Sequence, residues 1–280
     1  MEPAPDLIDE VTFLRVGHCR APERAVRSGG AWCWIEFPAT VAVLRHRTHG
    51  VILFDTGYAP RYFEILRKLP YAILGPVLGA VLPEKEQLCV QLKRLGIAPE
   101  EVRTVIISHF HLDHISGLRD FPRANYLFSA EAWKAVSNTR GWRAFHQVFH
   151  PGCIPADFEP RSLQLHKAGA HADSIFPEAW DVFGDQSIVA IGLPGHAPGQ
   201  FGIRFACQGS DYFLIADACW HQANITAGES PHPLAGLVFD NRRDFWLSLR
   251  RLRQFAVASP EVLLLPNHCQ RTMEPYFNRA

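Results

Sequence analysis

The 280-residue chain carries 28 Lys plus Arg against 28 Asp plus Glu, a formal net charge of zero, and is 48% hydrophobic and 20% charged. Such a composition supports a sizeable core and excludes wholesale disorder, while the balanced charge argues against nucleic acid, whose binding draws on a basic face. Seven scattered cysteines without a CxxC pair exclude a secreted disulfide scaffold and point to reduced thiols in the cytoplasm.

In chain order, Met1 to Glu10 carries acidic residues and prolines where a signal peptide needs basic residues and an apolar run, so export is not expected. Val41 to Leu44 and Val51 to Phe54 flank a polar turn with Gly50 and read as a β-hairpin ending at Asp55-Thr56-Gly57. The most apolar stretch, Tyr71 to Leu82, contains Gly75, Pro76 and Gly79 and is about half the length a bilayer crossing requires, so no transmembrane segment is expected. Glu84 to Leu95 places Leu88, Leu92 and Leu95 on one helical face, with Gly96 to stop the helix. The β-branched run Val102 to Ile107 then reads as a strand buried on both faces, delivering the chain into His109.

Asn138 to Asp185, rich in Gly, Pro and aromatics, reads as an insertion forming a wall of an active site. Ser187 to Leu193 and Phe201 to Phe205 read as strands around a turn holding His196, and Tyr212 to Ala216 as a strand ending at Asp217. Asp240 or Asn241 caps a helix with Phe245, Leu249, Leu252 and Phe255 on one face, and Val262 to Leu265 is a last strand leading to His268. Arg242, Arg243, Arg250, Arg251 and Arg253 read as the solvated face of that helix. With no repeat, low-complexity segment or Gly/Ser linker, residues 1–280 read as one domain with insertions at about 58–83 and 138–185. Five strands end at a candidate polar residue, and in layered α/β proteins such ends converge on one rim.

The run Ser108-His109-Phe110-His111-Leu112-Asp113-His114 holds four potential metal ligands. Imidazole and carboxylate suit zinc and related divalent metals. On an extended loop His109 and His111 point to the same side, whereas Asp113 and His114 follow a bend, so one run can serve two metals. A lone His or Asp at a strand end means little. Gly195-His196-Ala197-Pro198-Gly199, Ala216-Asp217-Ala218 and Pro266-Asn267-His268 together with the HxHxDH run mean a great deal.

The order Asp-Thr-Gly, HxHxDH, GHxPG, Asp, His resembles the metallo-β-lactamase superfamily over nearly the whole chain. The resemblance implies an αβ/βα sandwich, two mixed β-sheets face to face with helices outside. It implies a first metal on His109, His111 and His196, a second on Asp113, His114 and His268, and Asp217 bridging both. Asp55 then accepts a hydrogen bond from a ligand imidazole. Zinc is the default occupant, though five His and two Asp also accept iron, manganese or cobalt. Two such ions lower the pKa of a shared water from about 15.7 toward roughly 7, making hydroxide the nucleophile. Asp113 then handles a proton as the tetrahedral intermediate collapses. No GxSxG elbow competes with this reading.

Within the superfamily the chain is most similar to the N-acyl homoserine lactonase branch, through the SHFHLDHISG run, the GHAPGQ turn and the Asp217-Ala218 segment. That implies opening a lactone, or cleaving a related ester, of an acylated small molecule, with Phe110, Trp220 and His221 as substrate contacts. Two positions depart from the branch: Trp220 stands where a tyrosine is usual, and Cys269 where an aspartate follows the last histidine. Ile73, Leu74, Val77, Leu78 and Val81 read as a lid over an acyl chain, or equally as core or a homodimer contact. His221 and Asn224 read otherwise as solvated loop residues. Glyoxalase-II-like thioester or phosphodiester cleavage is the alternative activity, and a metal-binding scaffold the alternative of another class.

Overall fold

The protein is described by a computed structural model over residues 5–165 and 175–277. Its described strands are β1 (Ile8–Pro22), β2 (Trp34–His46), β3 (Gly50–Phe54), β4 (Val102–Ile106), β5 (Asn125–Ser129), β6 (Ser162–Leu165), β7 (Ala179–Asp181), β8 (Ile188–Gly192), β9 (Phe201–Cys207), β10 (Ser210–Leu214) and β11 (Leu263–Leu265). β1 to β6 form one mixed sheet in chain order, antiparallel from β1 to β3 and parallel from β3 to β6. β7 to β11 form the other, antiparallel except for the parallel β10–β11 pair. A parallel pairing of Ile8 with Cys207 joins them.

Side-chain alternation explains the layering, because successive residues of a strand face opposite sides. Ala42, Leu44, Ile52, Phe54 and Ile106 of the first sheet meet Ile188, Ala190, Ile203, Phe205 and Leu214 of the second in one buried cluster. Their neighbours Val41, Val43, Leu53 and Val105 face outward, onto Tyr62, Leu88, Leu92 and Leu118. Val189, Ile191 and Phe213 face outward from the second sheet, onto Phe245, Leu249, Leu252 and Phe255 of the helix Arg242–Ala258. Each buried Val, Leu, Ile or Phe among these contributes about 1.5–3 kcal/mol. The αβ/βα sandwich is therefore present, with both sheets mixed as expected.

Most local expectations hold. The hairpin pairs Ala42 with Phe54 and His46 with Gly50. Asn241 caps the last long helix, its side chain accepting from the Asp244 N–H at 3.2 Å. The segment before Gly96 starts as a 3-10 turn, Glu84–Glu86, and becomes helical over Leu88–Arg94. Arg103, exposed at the start of β4, limits the two-sided burial to the rest of that strand. Sequence reading missed β1 and the first half of β2, because register shifts between Ile8 and Glu10 and between Arg15 and His18 break the alternation, and Pro38 interrupts β2.

The apolar segment Tyr71 to Leu82 divides its side chains. Tyr71 is buried and donates its hydroxyl to the Phe149 carbonyl at 2.5 Å, and Leu74 and Leu82 pack on the outer core. Ile73 and Val81 stay exposed, at 47% and 41%. Val81 is tied to β1 through reciprocal backbone bonds with His18, at 2.8 and 2.9 Å. The Val77 side chain and residues 166–174 of the 138–185 insertion lie outside the described residues. Phe149, Cys153 and Phe158 of that insertion are buried in the outer core. No helix among the described residues is long and apolar enough to cross a membrane.

Candidate metal centre

β3 ends directly before Asp55, β4 two residues before Ser108, and β10 three before Asp217, so the sheet edges bring residues distant in sequence to one rim. The turns there are tight. Asp55 holds φ +62° and Ala216 φ +46°, conformations that cost non-glycine residues energy and occur where surrounding structure enforces them. Gly195, at φ +125°, has no room for a side chain: a Cβ would stand 2.0 Å from the Phe245 amide nitrogen. The missing Cβ lets the capped end of the helix Arg242–Ala258 press against His196, whose carbonyl accepts from the Asp240 N–H at 3.1 Å.

Three groups of potential ligand atoms lie on this rim, each within 4.8 Å internally: His109, His111 and His196; His109, His114 and Asp217; Asp113, His114 and His268. The middle group shares members with the other two, so the seven residues form one continuous set. His268 Nε2 lies 3.1 Å from Asp217 Oδ2 and 3.4 Å from Asp113 Oδ2. His196 Nε2 lies 3.3 Å from the same Asp217 oxygen.

The outward nitrogens of three of the five imidazoles are held by the protein. His114 Nδ1 donates to Asp55 Oδ2 at 2.7 Å, and His268 Nδ1 donates to the Pro38 carbonyl at 2.7 Å. His109 Nδ1 lies 3.0 Å from Ser108 Oγ, which donates to Asp55 Oδ2 at 2.8 Å. Asp55 Oδ1 accepts the Ser108 N–H at 2.8 Å, so one buried carboxylate orients two imidazoles. On the inner side, His109 Nε2, His114 Nε2 and Asp217 Oδ1 are buried without a hydrogen-bond partner. Buried polar atoms are seldom left so, and a cation of the kind His and Asp favour would satisfy all three. The residues present therefore fit divalent metal ions.

Charge is arranged accordingly. Burial pushes the imidazoles of His109 and His196 well below their usual range and His111 down to about 4, keeping their lone pairs free at neutral pH. Burial also acts against protonated His114, but Asp55, Asp113 and Asp217 outweigh it and raise that imidazole well above its usual value. His268 is raised in the same way, burial being outweighed by Asp217 and Asp113. Burial alone would raise the Asp217 carboxyl, but His268, His114 and His196 hold it well below the carboxylate range. Cation binding would replace the protons on His114 and His268.

The expected substrate contacts fare differently. Trp220, only 9% exposed, packs against Phe37, His196, Phe239 and Phe245. Its indole N–H points to Asp217 Oδ2 at 3.4 Å, toward the candidate ligands. Phe110 turns away from them, its ring taken up by Phe128, Trp133, Phe149 and Phe158 of the outer core, and the expectation of a substrate contact there is corrected. His221 is buried and accepts the Ala223 N–H at its Nδ1, 3.0 Å away. Asn224 is wholly buried, its amide donating to the carbonyls of Val26 and Glu229, which corrects the reading of a solvated loop residue. Sequence reading missed Ser108, Pro38 and Phe37, whose ring stacks on His268 at 5.3 Å. Ser108 was visible inside the motif run; nothing local marks Pro38 or Phe37.

Known proteins with similar sequences and folds complete the picture. The N-acyl homoserine lactonase AttM of Azorhizobium caulinodans is 33% identical over 182 residues, 64% of this chain and 63% of that protein. The lactonase of the same name from Agrobacterium fabrum is 34% identical over 62% of this chain and 61% of its own length. The chain thus matches a little under two thirds of the length of these relatives. A solved N-acyl homoserine lactone hydrolase, with the product N-hexanoyl-L-homoserine at its catalytic metal centre, superposes with a TM-score of 0.73 at 18% identity, covering 96% of both chains. The family profile described as the metallo-beta-lactamase superfamily matches residues 34–264, spanning nearly all of the rim, and the chain belongs to that superfamily.

Proposed function

We propose that this protein is a dinuclear metal-dependent hydrolase that opens a lactone, or cleaves a related ester, of an acylated small molecule. The observation that carries this reading is the set of buried, unpartnered atoms His109 Nε2, His114 Nε2 and Asp217 Oδ1, the two imidazoles being locked from behind by Ser108 and Asp55. His109, His111 and His196 would hold one ion, Asp113, His114 and His268 another, with Asp217 between. Ions held there supply Lewis acidity toward a substrate carbonyl and an acidified water as nucleophile, and zinc suits the donor set.

The chain's own residues do the rest. Asp55 and Ser108 fix which nitrogen of His114 and His109 faces inward, so the site needs little reorganisation when it loads. Trp220 closes one side of the centre with an apolar ring and keeps its N–H on Asp217. Asp113, with 21% of its side chain exposed against 5% for Asp217, is the carboxylate open to substrate and can take up or release a proton there. Ile73 and Val81, the exposed apolar side chains of the segment Tyr71 to Leu82, would supply an apolar surface for an acyl chain. The lactonase names of the relatives support the lactone class. Unpaired cysteines throughout fit a reducing compartment, the cytoplasm.

The test is metal analysis of the purified protein combined with a panel of N-acyl homoserine lactones, aryl esters, thioesters and phosphodiesters. Metal-dependent turnover of lactones or esters is expected. A metal-loaded protein inert to every class would replace this reading with a binding role, and preference for thioesters or phosphodiesters would reassign the bond. Ile73→Ala with Val81→Ala should shift the chain-length preference; an unchanged preference would remove the lid.

A further inference from the structure

Behind the Trp220 wall lies a cavity, about 490 Å³, whose lining includes Arg24, His232, Phe239, Arg242 and Trp246 and, among the described residues, no carboxylate. Its cations are held by backbone alone. Arg242 Nε donates to the Gly236 carbonyl at 3.0 Å, and Arg24 donates to the Ser28 carbonyl. Among the described residues no ion pair involves either one. Their neighbour Arg27 is different, bonded to Glu23 at 2.7 Å and to Glu229 at 3.1 Å. His232 accepts the Leu234 N–H at Nδ1, 3.2 Å away, so in its neutral form its own proton sits on Nε2. The apolar side of the cavity is Trp246, 37% exposed, and Phe239, stacked on Phe245 with ring centroids 3.8 Å apart. Phe239 also stands 5.3 Å from Trp220 and 6.3 Å from His196, so the cavity and the metal centre share a wall.

A guanidinium has five donors in a planar fork matched to carboxylate and phosphate oxygens, and each of these two exposed side chains leaves most of its fork without a protein acceptor among the described residues. Two such forks over an aromatic floor, in a cavity with no competing carboxylate, select a flat apolar body carrying an anionic head. We propose that this cavity binds an amphipathic anion, its carboxylate or phosphate held by Arg24 and Arg242 and its body lying on Trp246 and Phe239. The site is separate from the metal ligands and does not depend on the hydrolytic reading.

The experiment titrates the full chain with naphthalene-2-carboxylate, 2-naphthyl phosphate and neutral 2-naphthalenemethanol, following heat and tryptophan fluorescence. One-site saturation by at least one anion, at least about tenfold tighter than the neutral probe, is expected, and the tighter anion identifies the head group. Arg24→Ala and Arg242→Ala should each weaken that anion about tenfold with metal content unchanged, and rising salt should weaken it in the unaltered protein. Trp246→Phe should reduce the fluorescence change. Metal-stripped protein should bind as before. Absence of saturation, equal affinity for the neutral probe, indifference to both arginine variants, or loss of binding on metal removal would each overturn the proposal.

Discussion

Two clusters of the same residue types sit at opposite ends of β3. At the end that leads into Asp55 stand the seven rim residues; at the end that begins with Gly50 stand His46, His49 and Asp185, whose ligand-type atoms also lie within 4.8 Å of one another. Their hydrogen bonds separate them. His46 Nδ1 accepts the N–H groups of Thr48 and His49, at 3.1 and 3.3 Å, which places its proton on Nε2, directed at Ser187 Oγ 2.9 Å away. His49 is paired with Asp185 at 3.1 Å and stacked on Phe183. That cluster closes on itself as a clasp for the hairpin turn. On the rim the Nδ1 protons of His114 and His268 face outward, to Asp55 and Pro38, and on the inner side His109 Nε2, His114 Nε2 and Asp217 Oδ1 are left without a hydrogen-bond partner. Proton direction, more than residue type, distinguishes a ligand set from a structural knot.

Six substitutions test this contrast. The largest effect is expected from His109→Ala or Asp217→Asn, which should strip the metal and reduce hydrolysis to background while circular dichroism stays native-like; Asp185→Ala should leave metal content untouched. Retained metal in the rim variants would sink the assignment. Asp55→Asn comes next. It removes the negative charge facing His114 and disturbs the fixed tautomer, and metal affinity measured by chelator competition should fall about 10–100-fold. Trp220→Phe keeps the ring and deletes the N–H directed at Asp217, so a loss of only a few-fold in metal affinity is expected, with the larger part of any change in KM. The smallest effect is on pH dependence. Burial, then the charge of His49, lowers the His46 imidazole below its unfolded value of 6.5, with Asp185 opposing. The folded state therefore binds fewer protons there, and the contribution is present above pH 6.5 and lost as pH falls below it. His46→Gln should flatten that part of the acid limb in denaturant melts of the metal-free protein, and an unchanged slope would show that His46 does not contribute to it.

How much of this was readable beforehand follows from the range of the forces. The HxHxDH run, the turn glycines around His196 and the four apolar residues of the helix Arg242–Ala258 are local patterns, and each reappears where spacing put it. β1 did not read as a strand, since its bulges defeat the period-2 rule that makes strands visible. Phe110 was expected as a substrate contact on the lactonase resemblance. Alternation along an extended loop sends it to the opposite face, into the core.

The sequence by itself determined the ligand types, their order and the strand that precedes each of them, because periodicity, turn chemistry and motif spacing act over a few residues. Only the tertiary structure decided which nitrogen of each imidazole faces inward, that Trp220 turns its N–H to Asp217, and that two arginines are left without carboxylates beside the same wall. The reason is separation: the Pro38 carbonyl that orients His268 lies 230 positions away, on a strand of the other sheet, and only the packing of the two sheets brings them together.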